Sequence, residues 1–71
     1  MVNIWKFVNA KEVKITSIDG KVFIGDIVAM FDKDETYDDE DSIDISVNGG
    51  IIGFLQSEIK HIEVIENRAI R

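Results

Sequence analysis

The spacing of apolar residues changes along this 71-residue chain, and each change predicts an element. Ile4, Phe7 and Val8 recur at helical spacing behind Asn3, whose side chain can cap a free backbone N–H. They predict a short N-terminal helix, marginal by itself and needing an apolar surface beneath it. An extended arm is the competing reading. From Glu12 the period becomes two. Val13 and Ile15 alternate with Lys14 and Thr16, as in a strand with one wet face. Asp19-Gly20 predicts a hairpin turn, because glycine supplies a positive φ without steric cost. A second strand then runs from about Lys21 to Phe31. Phe23, Gly25, Ile27, Ala29 and Phe31 fall on one face. Val22, Ile24, Val28 and Met30 fall on the other, interrupted by Asp26. A strand apolar on both faces is central, sharply bent, or covered by a neighbour. Gly25 in its middle costs stability unless a bend or a close backbone approach requires it.

Alternation resumes at Ile43, Ile45 and Val47, against Asp44, Ser46 and Asn48. Asn48-Gly49-Gly50 is the second hairpin turn, followed by a short apolar strand from Ile51 to Leu55. Gln56-Ser57-Glu58 breaks the pattern. Ile59, Ile62 and Val64 carry a last strand to about Glu66, and the tail 67–71 is expected to fray. The expected fold is mostly β: one domain over 1–71, a small five-stranded antiparallel barrel of SH3-like type with a short N-terminal helix. Closing such a sheet removes its exposed edges.

Composition narrows the functional classes. A chain this short has a thin core and gains from a partner subunit. It has no cysteine, so disulfides and thiolate metal sites are excluded. No leader-like segment or membrane-length apolar run appears, so the expectation is a soluble, cytoplasmic protein. The net charge is −6, and the eight basic residues are scattered rather than gathered in a stripe. A monomer of this charge repels polyanions.

The stretch "DGKVFIGDIVAMFD" within this order of elements resembles the first motif of the Sm-like (LSm) family. That motif runs Asp-Gly, four residues, Gly, then alternating apolar residues to an aromatic-Asp pair. Asp19, Gly20, Gly25, Ile27, Phe31 and Asp32 fall on it. "FLQSEIKHI" resembles the second motif, with Phe54, Ile59 and Ile62 at its apolar positions. The resemblance covers roughly residues 13–65. It implies an Sm-like barrel, a homo-oligomeric ring closed by strand pairing, and RNA contacts in the loop after the aromatic-Asp pair and in the second motif. Carried over residue by residue, the contact positions are Asp32, Asp34, Thr36, Leu55 and Gln56. Asp32 keeps the family aspartate. Asp34 stands where a base-stacking residue is expected and offers no π face. Thr36 stands for an asparagine and lacks its planar amide. Leu55-Gln56 stands for Arg-Gly, so the cation is missing.

Eight of the fifteen residues from Phe31 to Ile45 are acidic. An EF-hand register fails. Counted from Asp32, positions six and twelve are Tyr37 and Ile43; counted from Asp34, they are Asp39 and Ile45, where glycine and glutamate are required. Asp38, Asp39, Glu40 and Asp41 remain candidates for a looser divalent-cation site. The acidic loop 32–42 can also steer a basic protein partner, or be a solvated linker with Tyr37 anchoring it to the sheet. The single histidine, His61, reads as a strand-face residue. Trp5 reads as core cover shared with an interface. No nucleophile elbow or phosphate loop occurs. The sequence thus predicts no enzyme and no cofactor. It predicts an Sm-like binding and assembly module, homo-oligomeric, whose ligand is not the usual uridine-rich RNA. The alternatives are an RNA-binding ring with non-standard contacts and an acidic-loop divalent-cation binder.

Overall fold

The computed structural model describes residues 2–68. Five antiparallel strands form one sheet: β1 (Ala10–Ser17), β2 (Val22–Phe31), β3 (Ser42–Val47), β4 (Gly50–Leu55) and β5 (Ile59–Asn67). Their order is β4-β3-β2-β1-β5, so β4 and β5 are the two edges. Both expected hairpin turns are present. Gly20 has φ +88°, and Asn48 and Gly49 have φ +51° and +81°. The latter pair matches the twist that a two-residue hairpin turn needs.

The expected N-terminal helix is only a 3-10 turn, Ile4–Phe7. The Lys6 N–H donates to the Asn3 carbonyl and the Val8 N–H to the Trp5 carbonyl, both three residues back. Asn3 caps the turn by accepting from the Trp5 N–H at 3.1 Å. Ala10 already belongs to β1, so the chain leaves the turn before a second one can form. Of the three residues at helical spacing, Ile4 is fully buried, Phe7 half-buried and Val8 exposed. Ile4 enters the core, and Val2 and Phe7 pack against it.

The core consists of Ile4, Ala10, Val13, Ile15, Ile43, Ile45, Phe54, Ile59 and Ile62. Phe23 packs edge-on against Phe54, with ring centroids 5.2 Å apart. These rings come from β2 and β4, which are not neighbours in the sheet, so the sheet curls strongly over its own apolar face. The two-faced pattern of β2 has a local cause. A register shift between Ile27 and Ala29 inserts Val28 as an extra residue. Phe23 and Ile27 pack on the core before it, and Met30, opposite Ile43, packs on the core after it. Simple alternation had put Met30 on the opposite face from Phe23; a bulge of this kind reverses the phase.

Gly25 makes the close approach its position suggested. A Cβ there would lie 2.0 Å from the Ser46 carbonyl oxygen. At the other end of the chain, Asn67 pairs with Ala10, and the Arg68 N–H donates to the Asn9 carbonyl. Of the tail expected to fray, Asn67 and Arg68 make these contacts, and 69–71 lie outside the described residues. No helix among the described residues is long and apolar enough to cross a membrane.

Candidate functional site

The acidic loop is locally built rather than merely solvated. Asp32 caps a 3-10 turn, Lys33–Glu35: its Oδ1 accepts from the Asp34 N–H at 2.9 Å, while Glu35 Oε1 accepts from the Asp32 N–H at 3.2 Å. This is a reciprocal capping box, which satisfies two otherwise orphan donors. The Thr36 hydroxyl donates to the Glu40 carbonyl at 2.8 Å and accepts from the Glu40 N–H at 3.3 Å, closing the second half of the loop. Asp39, at φ +56°, makes the turn between them. Aspartate tolerates that conformation better than most residues.

Two further carboxylates tie the loop to the rest of the protein. Asp41 Oδ1 accepts from the Lys33 N–H at 2.8 Å, and its Oδ2 accepts from the Trp5 indole N–H at 2.9 Å. Glu40 Oε1 and Oε2 accept from the Ser57 N–H and hydroxyl at 2.9 and 3.0 Å. The Asp41 carbonyl accepts from the Gln56 N–H at 2.9 Å, and Gln56 Oε1 accepts from the Ile4 N–H at 3.2 Å. Gln56–Glu58 form the 3-10 turn joining β4 to β5, where the Glu58 carboxylate accepts from the Leu55 N–H at 2.8 Å. The loop, the N-terminal turn and the β4–β5 connection thus meet at one end of the sheet.

The two groups of positions matched to RNA contacts, Asp32, Asp34 and Thr36 on the loop and Leu55 and Gln56 after β4, are brought to this same end. Four of the five serve the fold: Asp32 and Thr36 hold backbone groups, Gln56 accepts from the Ile4 N–H and Leu55 is half-buried, while the Asp34 side chain is exposed. The cation-site candidates diverge. Asp38 and Asp39 are exposed, while Glu40 and Asp41 are engaged as above. Among the described residues, no group of three or more His, Cys, Asp or Glu side chains is placed to hold a metal ion. Tyr37 is fully exposed and anchors nothing. The anchor is Trp5, bonded to Asp41. Sequence spacing gave no hint of this pairing, which spans thirty-six positions. His61 is exposed, with Nε2 3.4 Å from Glu63 Oε1.

A second polar cluster lies at the β1–β2 turn. The buried Ser17 hydroxyl donates to Asp19 Oδ1 and accepts from the Lys21 N–H at 3.2 Å. The Ser17 hydrogen bond holds the Asp19 carboxyl below the usual carboxylate range, helped by the Lys21 backbone N–H and the Lys21 ammonium. These residues, with Ile18, Glu58 and the Phe23–Phe54 pair, line an open cleft of about 420 Å³. The Ser17 hydroxyl thus faces a carboxylate whose turn contacts favour its charged form. Across the outer face, Lys11 lies 3.1 Å from Glu66. The hydrogen bond and charge of Glu66, with Asp26 and Glu12 adding, raise the Lys11 ammonium above its usual range.

No family model, curated protein or solved structure matches this chain.

Proposed function

We propose that the protein is an Sm-like binding and assembly module of the cytoplasm, without enzymatic activity. It acts as a homo-oligomer whose ligand is not uridine-rich RNA. The observation that carries this reading is the sheet itself. A single curled five-stranded sheet encloses its own core, as an SH3-like barrel does, and leaves β4 and β5 as unpaired edges joined by a 3-10 turn. Unpaired edges are templates for strand pairing with another chain. Large apolar side chains lie on or beside these edges: Ile51 on β4, and Val64 and Ile65 on β5, are all exposed. The ligand restriction follows from the contact positions. They carry two acids, a threonine, a leucine and a glutamine, with no aromatic platform and no cation, in a chain of net charge −6.

Native mass spectrometry of freshly purified protein at micromolar concentration tests the reading. A closed multiple of the 8.0 kDa subunit mass is expected. A monomer at that concentration would refute it. Fluorescence anisotropy with an oligouridine probe at low salt tests the ligand restriction. Binding that weakens steeply as salt rises would restore the RNA-ring reading.

A further inference from the structure

Two hairpin turns of this chain place a glycine after a residue whose side chain can cyclise, Asp19-Gly20 and Asn48-Gly49. In such a pair the glycine nitrogen can attack the side-chain carbonyl carbon of the residue before it, because no Cβ shields that nitrogen. The fold blocks this reaction at one pair and permits it at the other. At the first turn the Gly20 N–H donates to the Ser17 carbonyl at 2.9 Å. The Asp19 carboxylate accepts from the Ser17 hydroxyl and is held in its charged form, which is a poor electrophile. At the second turn both reacting groups are free. Among the described residues, neither the Asn48 side-chain amide nor the Gly49 N–H has a hydrogen-bond partner. Both residues are exposed, and Asn48 borders an open groove that admits water. The other asparagines, Asn3, Asn9 and Asn67, precede Ile4, Ala10 and Arg68, whose side chains hinder the attack.

We infer that Asn48 is this chain's site of spontaneous conversion to isoaspartate, and that the conversion takes the β4 edge out of assembly. The second half rests on the reading that copies associate by their edges. The Gly49 nitrogen loses its proton to solvent base and bonds to Asn48 Cγ. The Cγ–Nδ2 bond breaks, and the side-chain nitrogen leaves as ammonia. Water then opens the cyclic imide. Opening at Cγ gives aspartate. Opening at the Asn48 backbone carbonyl gives isoaspartate, whose main chain runs through the former side chain. Ring closure requires Asn48 to leave its turn conformation, so it proceeds when the hairpin end opens. β4 has β3 as its one neighbour in the sheet, so this end belongs to an edge, where local opening is easiest. Isoaspartate lengthens the main chain inside a two-residue turn and adds a carboxylate. Turn length sets hairpin register, here Val47 opposite Gly50, Ser46 opposite Ile51 and Ile45 opposite Ile52. A lengthened turn cannot keep these pairs, so β4 loses the regular edge on which another strand would add.

Ageing the full chain in mildly alkaline buffer tests both halves. Peptide mapping locates isoaspartate, and native mass spectrometry separates assembled from dissociated chains. Isoaspartate is expected at Asn48 and absent at Asn3, Asn9, Asp19 and Asn67, and it should be confined to dissociated chains. Asn48→Gly keeps a turn-forming residue but lacks the reacting amide, so its aged sample should retain the assembled mass. The same buffer with urea gives the conversion rate without the fold. A folded sample free of isoaspartate at Asn48 once the urea-unfolded chain has converted overturns the site. Equal isoaspartate in assembled and dissociated chains, or loss of assembly in aged Asn48→Gly, overturns the effect on the edge. A protein that is monomeric before ageing refutes association and with it the second half, while the mapping still decides the first.

Discussion

Gly25→Ala tests the packing on which the curl of the sheet depends. The added methyl carbon would sit 2.0 Å from the Ser46 carbonyl oxygen and 2.9 Å from its carbonyl carbon, where contacts under 3.0 Å essentially never occur. One backbone or the other must retreat by about 1 Å, in an interior packed too densely to absorb it. Overpacking that side chains can relieve costs about 1–3 kcal/mol. Here the obstruction is the backbone of a paired strand, at the first rung of the β2–β3 ladder, so the cost is at least about 3 kcal/mol. A chain of this size has a total stability of roughly 4–10 kcal/mol. The variant should therefore lose a third or more of it, with Tm falling by about 12 °C or more. Gly53→Ala is the control. Its Cβ would lie 2.8 Å from Asp44 Oδ1, the far end of a side chain that can rotate away, so a change within about 1 kcal/mol is expected. Urea unfolding followed by Trp5 fluorescence and far-UV circular dichroism measures both. If Gly25→Ala fell within 1 kcal/mol of Gly53→Ala, the proposed backbone contact would be wrong.

Three other perturbations probe separate parts of the structure. Trp5→Phe keeps a ring but removes the donor to Asp41, and should cost about 0.5–1.5 kcal/mol. In a double-mutant cycle with Asp41→Ala, zero coupling energy would dismiss the link between the N-terminal turn and the loop. Because the folded Asp19 carboxyl is depressed, its contribution is present above the unfolded pKa and lost as pH falls through the folded value. Ser17→Ala removes the main cause, so urea titrations in the acid range should show a flatter pH dependence; an unchanged slope would contradict the assignment. Glu12 lies opposite both Asp26 and Glu66 in register, making a row of three acids with Lys11 as counter-charge. Glu12→Thr should stabilise by about 0.2–1 kcal/mol at low salt, less at high salt, as thermal melts at two ionic strengths would reveal.

The strands were legible because their signals are local. Alternation about Val13–Ile15 and Ile43–Ile45, together with the Asp19-Gly20 and Asn48-Gly49 turns, located four of the five elements to within a few residues. Glycine in mid-strand at Gly25 pointed to a close approach, since few other circumstances favour it there. The misreadings came from features that periodicity cannot encode. The N-terminal segment has helical spacing, but only Ile4 is fully buried, while Phe7 packs half-buried against the core and Val8 is exposed. The bulge at Val28 reverses the facing of β2 without any change in residue type. The anchoring role expected of Tyr37 falls instead to Trp5, because partners distant in sequence are set by how the sheet curls.

The acidic run shows how far composition can mislead about role. Read as charge alone, residues 32–42 suggest a self-repelling linker or a cation trap. Yet Asp32, Glu35, Glu40 and Asp41 each accept a hydrogen bond from a backbone N–H, and Glu40 and Asp41 also take side-chain donors from Ser57 and Trp5. Without a glycine or proline in the loop, its turns rely on side chains: Asp32 and Glu35 accept from backbone donors two and three residues away, whereas Asp41 and Glu40 reach Lys33 and Ser57, eight and seventeen positions away. Acid at these positions therefore has a structural cause independent of any ligand. What that cause leaves unexplained is narrower: Asp34, Asp38 and Asp39, exposed around a fully exposed Tyr37. Neutralising those three residues together should leave stability nearly unchanged, whereas neutralising Asp32 and Asp41 should unravel the loop. That contrast separates the part of the charge that folds the chain from the part available to a partner.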